Sequence, residues 1–177
     1  MKKLKNSELN RLNIDSYKNA EKNPIVLVLD NIRSLNNIGS IFRTADAFRI
    51  KAIYLCGITA QPPHREIHKT ALGATDSVDW KYFKTTTEAV EELKNDGCEI
   101  ISLEQADKSI MLNDFFPIPD TAYAIVLGNE VKGVEQNIID LSHHCVEIPQ
   151  FGTKHSFNVT VSNGIIIWDI LLKLKRL

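Results

Sequence analysis

Long hydrophobic runs and paired cysteines are both missing from this chain. None of its apolar stretches approaches the roughly 20 residues that a helix needs to cross a bilayer, so we expect no membrane segment. Cysteine occurs three times, far apart, at Cys56, Cys98 and Cys145. This odd number argues against a disulfide framework or a zinc site and favours a reducing compartment. The basic start at residues 1–6 has no apolar segment behind it, so we expect no secretory signal and a cytoplasmic protein.

A surplus of charge of either sign is also missing. Lysine and arginine number 21 against 22 aspartates and glutamates, which gives a formal net charge of −1 at pH 7. Any attraction to a phosphate chain must therefore come from a local cluster of cations.

Several common signature loops are absent as well. No Gly-x-Gly-x-x-Gly follows the first predicted strand, and no Walker-type Gly-Lys-Ser/Thr loop occurs. A nucleophile elbow is missing too. These absences argue against an ordinary Rossmann dinucleotide site, a P-loop NTPase and Ser-His-Asp hydrolysis.

The sequence does contain a regular alternation of strands and helices. Its 177 residues, 44% hydrophobic and 24% charged, fit one globular domain. Continuous apolar runs, typical of strands covered on both faces, occur at 25–29, 52–56, 78–83, 98–103, 123–127 and 145–148. Helical patterns are found at 38–48, 87–96 and 159–175. This order predicts an α/β fold with a mostly parallel sheet sandwiched by helices.

The polar segment 1–22 is predicted to form a short N-terminal helical extension that lies on the body of the protein. Leu9, Leu12 and Tyr17 are its main candidates for packing. Residues 23–177 then make up the main domain.

The first candidate site segment joins a loop to a predicted helix and carries Asn37 and Arg43. A helix N-terminus exposes free N–H groups that favour anions, and an arginine can grip a phosphate with two hydrogen bonds. The alternative is that Asn37 only caps the helix and that Arg43 is a solvated side chain paired with Asp46.

The second candidate segment, residues 128–133, directly follows a buried strand and contains Gly128, Glu130 and Gly133. Open α/β sheets bind ligands just beyond the carboxyl ends of their strands, and glycine allows a ligand to approach the backbone closely. A plain glycine-rich turn with an exposed Glu130 is the alternative.

The third candidate segment, residues 147–158, leaves a strand at a proline and crosses a long polar turn before the last helix. Ser156 and Asn158 fall at the start of that helix. Simple capping would explain these two residue types but not the length of the loop, so we favour a functional role.

A fourth segment, residues 57–73, is a surface loop leading into a short helix. His64, Arg65, His68 and Lys69 could form a phosphate-binding edge there. Solvated loop charges are one alternative. A metal site at the two histidines is another, although the sequence offers no third ligand.

At these residues the sequence resembles the SpoU (TrmH-like) branch of the SPOUT RNA methyltransferases. Asn37 and Arg43 are similar to its first motif, residues 127–133 to its second, and residues 148–159 to its third, in family order. Residues 62–74 are similar to a further family segment. Phe157 departs from the leucine usual in the family. No added RNA-binding domain is visible, which leaves the RNA target open.

The resemblance implies a trefoil knot in the C-terminal region, a feature that is otherwise almost absent from proteins. It implies S-adenosyl-L-methionine as the cofactor, bent inside the knot, and a homodimer with its sites at the subunit interface. The cofactor's adenine would then contact backbone groups near Leu103, Gly128, Ile148 and Phe157. No metal is implied.

The predicted activity is therefore methylation of a ribose 2′-hydroxyl in tRNA or rRNA. The resemblance implies these catalytic residues: Asn37, Arg43, Glu130, Ser156 and Asn158. Contact with RNA is predicted for Arg43, His64, Arg65 and Lys69. Because a guanidinium stays protonated in proteins, we expect Arg43 to stabilise the developing negative charge, held by Asn37 and Glu130.

Two other functions stay open at this point. A knotted dimer could bind RNA or cofactor without turnover, although the residues found at the motif positions argue against it. A small-molecule methyltransferase would have no use for the cationic edge at residues 64–69.

Overall fold

The computed structural model describes residues 1–177, except for the side chain of Asn6. Seven strands form one sheet: β1 (Asn23–Asp30), β2 (Ile50–Cys56), β3 (Trp80–Phe83), β4 (Glu99–Leu103), β5 (Ile110–Met111), β6 (Tyr123–Leu127) and β7 (His144–Glu147). The helices are α1 (Ile14–Asn19), α2 (Leu35–Ala47), α3 (Arg65–Ala71), α4 (Ala74–Ser77), α5 (Thr86–Asn95), α6 (Gln136–Leu141) and α7 (Val159–Lys173). Among the residues that the structure describes, no helix is long and apolar enough to cross a membrane.

The sheet is parallel throughout, in the order β3-β2-β1-β6-β4-β7-β5. Its central strand β6 is buried at every position, as expected for a strand with helices on both faces. The prediction of a mostly parallel α/β sheet is confirmed. Strand β5 was not predicted, because it has only two residues and both are exposed.

Alternate residues of β1 divide the core into two layers. Ile25, Leu27 and Leu29 pack under α2, α3 and α7, whereas Val26 and Val28 face α5 and α6. This division follows from the two-residue period of a strand, which sends neighbouring side chains to opposite faces. The predicted sandwich of helices is therefore present on both sides of the sheet.

Some predicted boundaries and contacts need correction. The third strand begins at Trp80 rather than Val78, because the N–H of Val78 closes α4 on the carbonyl of Ala74. Among the described side chains of the N-terminal segment only Tyr17 is buried, while Leu9 and Leu12 are 38% and 52% exposed. The α-helix of this segment is α1, and a single 3₁₀ turn at Asn6–Glu8 precedes it.

Parallel pairing brings the carboxyl ends of several strands to one edge. Leu127 of β6 lies in register with Leu29 of β1 on one side and Leu103 of β4 on the other. The segments that follow these strands therefore meet: Asn129 Nδ2 donates to the Asn31 carbonyl at 2.6 Å. This edge is where an open α/β sheet places a ligand.

The segment 148–158 crosses the same edge between β7 and α7. The side-chain amide of Gln105, just after β4, donates to the His155 carbonyl at 2.8 Å. The predicted trefoil knot concerns this path of the chain, and it stays a prediction.

Helices α2 and α3 touch through a glycine. A Cβ at Gly39 would collide with the Thr70 hydroxyl and the Ile67 carbonyl. The same hydroxyl donates to the Asn36 carbonyl at 3.1 Å and ties α3 to the first turn of α2.

Replacement of Gly39 by alanine should push the two helices apart. We expect Gly39→Ala to lower the free energy of unfolding by about 1–3 kcal/mol, as overpacking does in other cores. Urea denaturation would measure the difference. Gly152→Ala is the control, because Gly152 is exposed and no atom lies within 4 Å of its added Cβ. Its effect on stability should stay within about 0.5 kcal/mol, as is usual for surface positions. Equal stability of Gly39→Ala and wild type would contradict the tight contact.

Candidate functional site

A cavity of about 530 Å³ opens at the carboxyl edge of the sheet. Its walls come from the segments after β4, β6 and β7 and from the start of α7. The lining residues are Leu103, Glu104, Gln105, Leu127, Gly128, Asn129, Glu130, Val131, Lys132, Gly133, Glu147, Ile148, Gln150, Ser156, Phe157, Asn158, Val159 and Ser162. The second and third candidate segments therefore share one cavity.

All four residues predicted to surround a cofactor line this cavity: Leu103, Gly128, Ile148 and Phe157. A Cβ at Gly128 would collide with the backbone of Gly133 and Val134. Glycine at 128 is therefore required by the closing of its own loop, and it also keeps the cavity floor free of a side chain.

The carboxylate of Glu130 connects the second segment to the first. One oxygen accepts from the Arg33 N–H at 3.0 Å, and the other accepts from the Ser34 N–H and from Asn37 Nδ2, each at 3.0 Å. An ionised carboxylate only accepts hydrogen bonds, so it suits this cluster of donors. Glu130 is exposed, as the alternative of a glycine-rich turn expects, but its carboxylate is bonded to three donors of the first segment.

Asn37 continues the connection to the third segment. Its Oδ1 accepts from Asn158 Nδ2 at 3.3 Å, while Asn158 Oδ1 accepts from the Thr160 N–H at 2.9 Å and caps α7. The N-cap of α2 is Ser34, so the capping alternative is wrong for Asn37. For Asn158 the capping alternative is correct, but its side chain also donates to Asn37, which capping does not require.

Two predicted catalytic residues have fewer contacts. Ser156 lines the cavity and makes no side-chain hydrogen bond within the described part of the chain. Arg43 does not line it and is exposed. Six residues after Asn37, Arg43 lies about 9 Å further along α2 and about 120° around it.

The expected support of Arg43 by Asn37 and Glu130 is not found among the contacts of the described residues. The pairing with Asp46 that belonged to the alternative is not found there either; Asp46 Oδ1 instead accepts from the Ser77 hydroxyl at 2.5 Å. The catalytic role of Arg43 stays a prediction.

Sequence reasoning missed Glu104, which holds the loop around Gly133. One carboxylate oxygen accepts from the Val134 N–H at 2.9 Å and the other from the Gln105 N–H at 2.8 Å. Gly133 has φ 70°, and a Cβ there would collide with Glu104. The signal was available, since Glu104 directly follows a predicted strand, but a lone glutamate in a loop did not stand out.

The cationic edge lies apart from this cavity. His64, Arg65, His68 and Lys69 are exposed on and before α3, and Lys69 Nζ lies 3.9 Å from Glu66. Within the described residues no cluster of three potential metal ligands is found, so His64 and His68 have no third partner there.

Thiol chemistry is disfavoured throughout the protein. Burial raises the pKa of Cys56 to about 12 and also raises the pKa values of Cys98 and Cys145. A thiol needs its thiolate form to attack, so all three are poor nucleophiles at neutral pH.

The pKa of Glu130 is lowered from its usual value by its bonding. Burial acts in the opposite direction and is the largest single influence, but the Arg33 N–H, the Asn37 amide and the Ser34 N–H together outweigh it. A carboxylate with a depressed folded-state pKa contributes stability above its unfolded pKa, and this contribution is lost as the pH falls through the folded value.

Glu130→Gln should therefore destabilise the protein at pH 7, on the order of 1 kcal/mol, because an amide cannot accept at both positions. The difference from wild type should shrink as the pH falls below the ordinary carboxylate value of 4.5. Urea denaturation across this range would measure it. Glu91→Gln, at an exposed position, is the control and should match wild type. A pH-independent difference would show that the charge is not what holds the loop.

Comparison with known proteins identifies relatives of the chain. The chain is 31% identical over 153 residues to a 23S rRNA (guanosine-2'-O-)-methyltransferase of Neisseria meningitidis, covering 86% of this chain and 60% of that protein. It is 24% identical to a tRNA (guanosine(18)-2'-O)-methyltransferase of Borreliella burgdorferi, covering 92% and 73% of the two chains. The chain thus spans about three fifths of the Neisseria relative's length.

The solved structures agree on the fold. An AdoMet-bound rRNA methyltransferase from Sinorhizobium meliloti superposes with a TM-score of 0.80 at 23% identity, covering 87% of this chain and 58% of that one. A profile of the SpoU rRNA Methylase family matches residues 24–168, nearly the whole chain and all three site segments. The chain belongs to the SpoU rRNA methylase family.

Proposed function

We propose that this chain transfers a methyl group from S-adenosyl-L-methionine to a ribose 2′-hydroxyl of tRNA or rRNA. One observation carries the proposal: Glu130, Asn37 and Asn158 are joined by hydrogen bonds beside the cavity, and they come from three separate segments. Family membership and the names of the relatives support the same reaction.

The cavity fits a nucleoside-sized cofactor. Its volume of about 530 Å³ is within the usual range for such ligands, and it combines apolar walls at Leu103 and Ile148 with polar groups at its mouth. The glycine at 128 leaves backbone groups accessible for hydrogen bonds to a base. When bound, S-adenosyl-L-methionine supplies a methyl group on a positively charged sulfur.

The ribose hydroxyl must lose its proton as its oxygen attacks, so the protein has to stabilise developing negative charge. The two asparagines can orient the hydroxyl through their amides, since each holds the other in place. Arg43 contributes charge rather than acting as a base, because guanidinium keeps its proton at any working pH.

The direction of helical side chains brings Arg43 closer to the site than its Cα suggests. Side chains on a helix point back toward its N-terminus, so Arg43 extends along α2 toward Ser40 and Asn36. Asn36 directly precedes Asn37 and accepts from Thr70 of α3. A phosphate held by Arg43 on this face would thus lie near Asn36 and Asn37, close to the reacting ribose, and not inside the cofactor cavity.

The cationic residues of α3 extend this face. His64, Arg65 and Lys69 are exposed, and α3 is fixed to α2 at Gly39 and Thr70. With a net charge of −1, the protein depends on such a local cluster for contact with RNA phosphates.

The protein is also proposed to be a homodimer. Helix α7 carries Val161, Trp168 and Leu172, which are 48%, 54% and 54% exposed. Two of them line an apolar groove of about 580 Å³ with Ile148 and Pro149. An uncovered apolar face of this kind marks an interaction surface, and its position beside the cavity suits a site at the subunit interface.

Arg43→Ala tests the reaction. We expect a loss of methyl transfer on the order of 10²–10³ in rate, with cofactor affinity nearly unchanged, because Arg43 lies outside the cavity. The measurements are tritium transfer from labelled S-adenosyl-L-methionine to RNA of cells lacking the enzyme, and calorimetry of cofactor binding. Arg43→Lys should rescue little, since an ammonium lacks the planar fork.

Arg176→Ala is the control: it removes an arginine that lies outside the cavity and bonds to Glu21, and it should transfer methyl groups like wild type. Wild-type rates in Arg43→Ala would show that the mechanism is wrong. Absence of transfer by the wild-type protein to any cellular RNA would favour a binding dimer without turnover.

The dimer has its own test. Trp168→Glu places a charge in the apolar groove and should shift the protein to a monomer in light scattering. Ile58→Glu is the matched control, because Ile58 is 65% exposed but lies outside the groove. Circular dichroism would verify that both variants fold, and a dimeric, folded Trp168→Glu would exclude this surface as the interface.

A further inference from the structure

A second cavity, of about 570 Å³, lies along α3, α4 and the start of β3. It shares no lining residue with the first cavity, and the proposed chemistry does not use it. Four of its residues are of the types that hold nucleotides: His64, Arg65, Asp76 and Trp80.

We propose that this cavity binds a guanine nucleotide of the substrate RNA other than the methylated one. The inference rests on the proposed function and deepens it, because it assigns a base-selective contact at a distance from the reacting ribose. Trp80 stacks on the base, Asp76 reads its edge, and His64 and Arg65 hold its phosphate.

Trp80 offers a fixed stacking surface. It is half-buried, packs against the core and also lines the cavity. It begins β3, which is the edge strand of the sheet. Aromatic side chains bind unpaired bases of any identity by stacking, so Trp80 alone would contribute affinity but no selectivity among the bases.

Asp76 supplies the selectivity for guanine. Its side chain is exposed and makes no hydrogen bond or ion pair with any residue that the structure describes. An ionised carboxylate only accepts hydrogen bonds. Among the four RNA bases, guanine alone presents two neighbouring donors, N1–H and the N2 amino group, to a carboxylate. Adenine, cytosine and uracil each present a single donor group, beside one or two acceptors, along the same edge.

His64 and Arg65 provide donors for the phosphate. His64 Nδ1 accepts from the Glu66 N–H at 3.2 Å, so the hydrogen of the neutral ring lies on Nε2, the nitrogen left free to donate. Arg65 is exposed, permanently charged and able to bind two phosphate oxygens at once.

The cavity is held at a fixed distance from the reacting site. Thr70, near the end of α3, bonds to Asn36, and Arg65 begins the same helix. Arg65 lies five positions before Thr70, which corresponds to about 7.5 Å along the helix. This fixed connection lets one short stretch of single-stranded RNA place a base in the cavity and a ribose beside Asn37.

The chain has two tryptophans, so Trp80 can be observed alone in a Trp168→Phe protein. Its fluorescence would be titrated with GMP, AMP, CMP and UMP, excited where nucleotides do not absorb. We expect GMP to quench with an affinity about tenfold above the other three, the discrimination typical of a two-hydrogen-bond contact. Asp76→Asn should abolish this preference, and Arg65→Ala should weaken all four nucleotides alike.

Asp120→Asn is the control, because Asp120 is exposed and lies outside the cavity. It should keep the preference for GMP. Equal affinity for all four nucleotides, or a preference that survives Asp76→Asn, would overturn the assignment of guanine. Absence of any quenching would overturn the cavity as a nucleotide site. This is also the result expected if a second protein chain covers the cavity.

Steady-state methylation separates this inference from the proposed function. Asp76→Asn should raise the KM for RNA about tenfold and leave kcat nearly unchanged, because the residue contacts a base and not the reacting atoms. GMP binding without methyl transfer by any variant would remove the proposed function and keep the nucleotide site. Methyl transfer with an unchanged KM in Asp76→Asn would remove the nucleotide site alone.

Discussion

The carboxylate of Glu130 is the contact on which the arrangement of the site depends. It receives the Arg33 and Ser34 N–H groups and the Asn37 amide, and through Asn37 it is connected to Asn158. Segments that are distant in sequence can meet there because their parallel strands end at one edge of the sheet. The contact fixes the turn that begins α2, so the geometry of the amides follows from the charge of one side chain.

A second constraint is the close approach of backbones beside the cavity. Neither Gly128 nor Gly133 can carry a Cβ without collision, and Glu104 fills the space beside Gly133 with a carboxylate that accepts from the Val134 N–H. The loop is thereby held on both sides, by Glu104 at one end and by Glu130 at the other. A cavity floor made of fixed backbone recognises shape and hydrogen bonds more than side-chain chemistry, which suits a purine.

Much of this could be predicted from the sequence. Continuous apolar runs identified every strand except β5, whose two exposed residues carry no pattern. The resemblance to the family, rather than any local pattern, pointed to Leu103, Gly128, Ile148 and Phe157, and all four line the cavity. The position of Arg43 relative to Asn37 could not be predicted, because it depends on where the helix begins. Helix α2 begins at Leu35, so both residues are helical and their spacing of six places them on different faces. Glu104 was missed because its role depends on a loop thirty residues further along the chain, and such a partner leaves no local signal.

The distribution of charge divides the surface around the site into two regions. Carboxylates concentrate around the first cavity, where those of Glu104 and Glu130 accept hydrogen bonds from backbone N–H groups. The exposed cations Arg43 and Arg65 lie on α2 and α3, beyond that cavity. Because a phosphate chain is repelled by the first region and attracted by the second, RNA would approach over the two helices and present only its reacting ribose to the edge of the sheet. A near-neutral chain can thus bind a polyanion with little excess charge, provided that Gly39 keeps the two helices in contact.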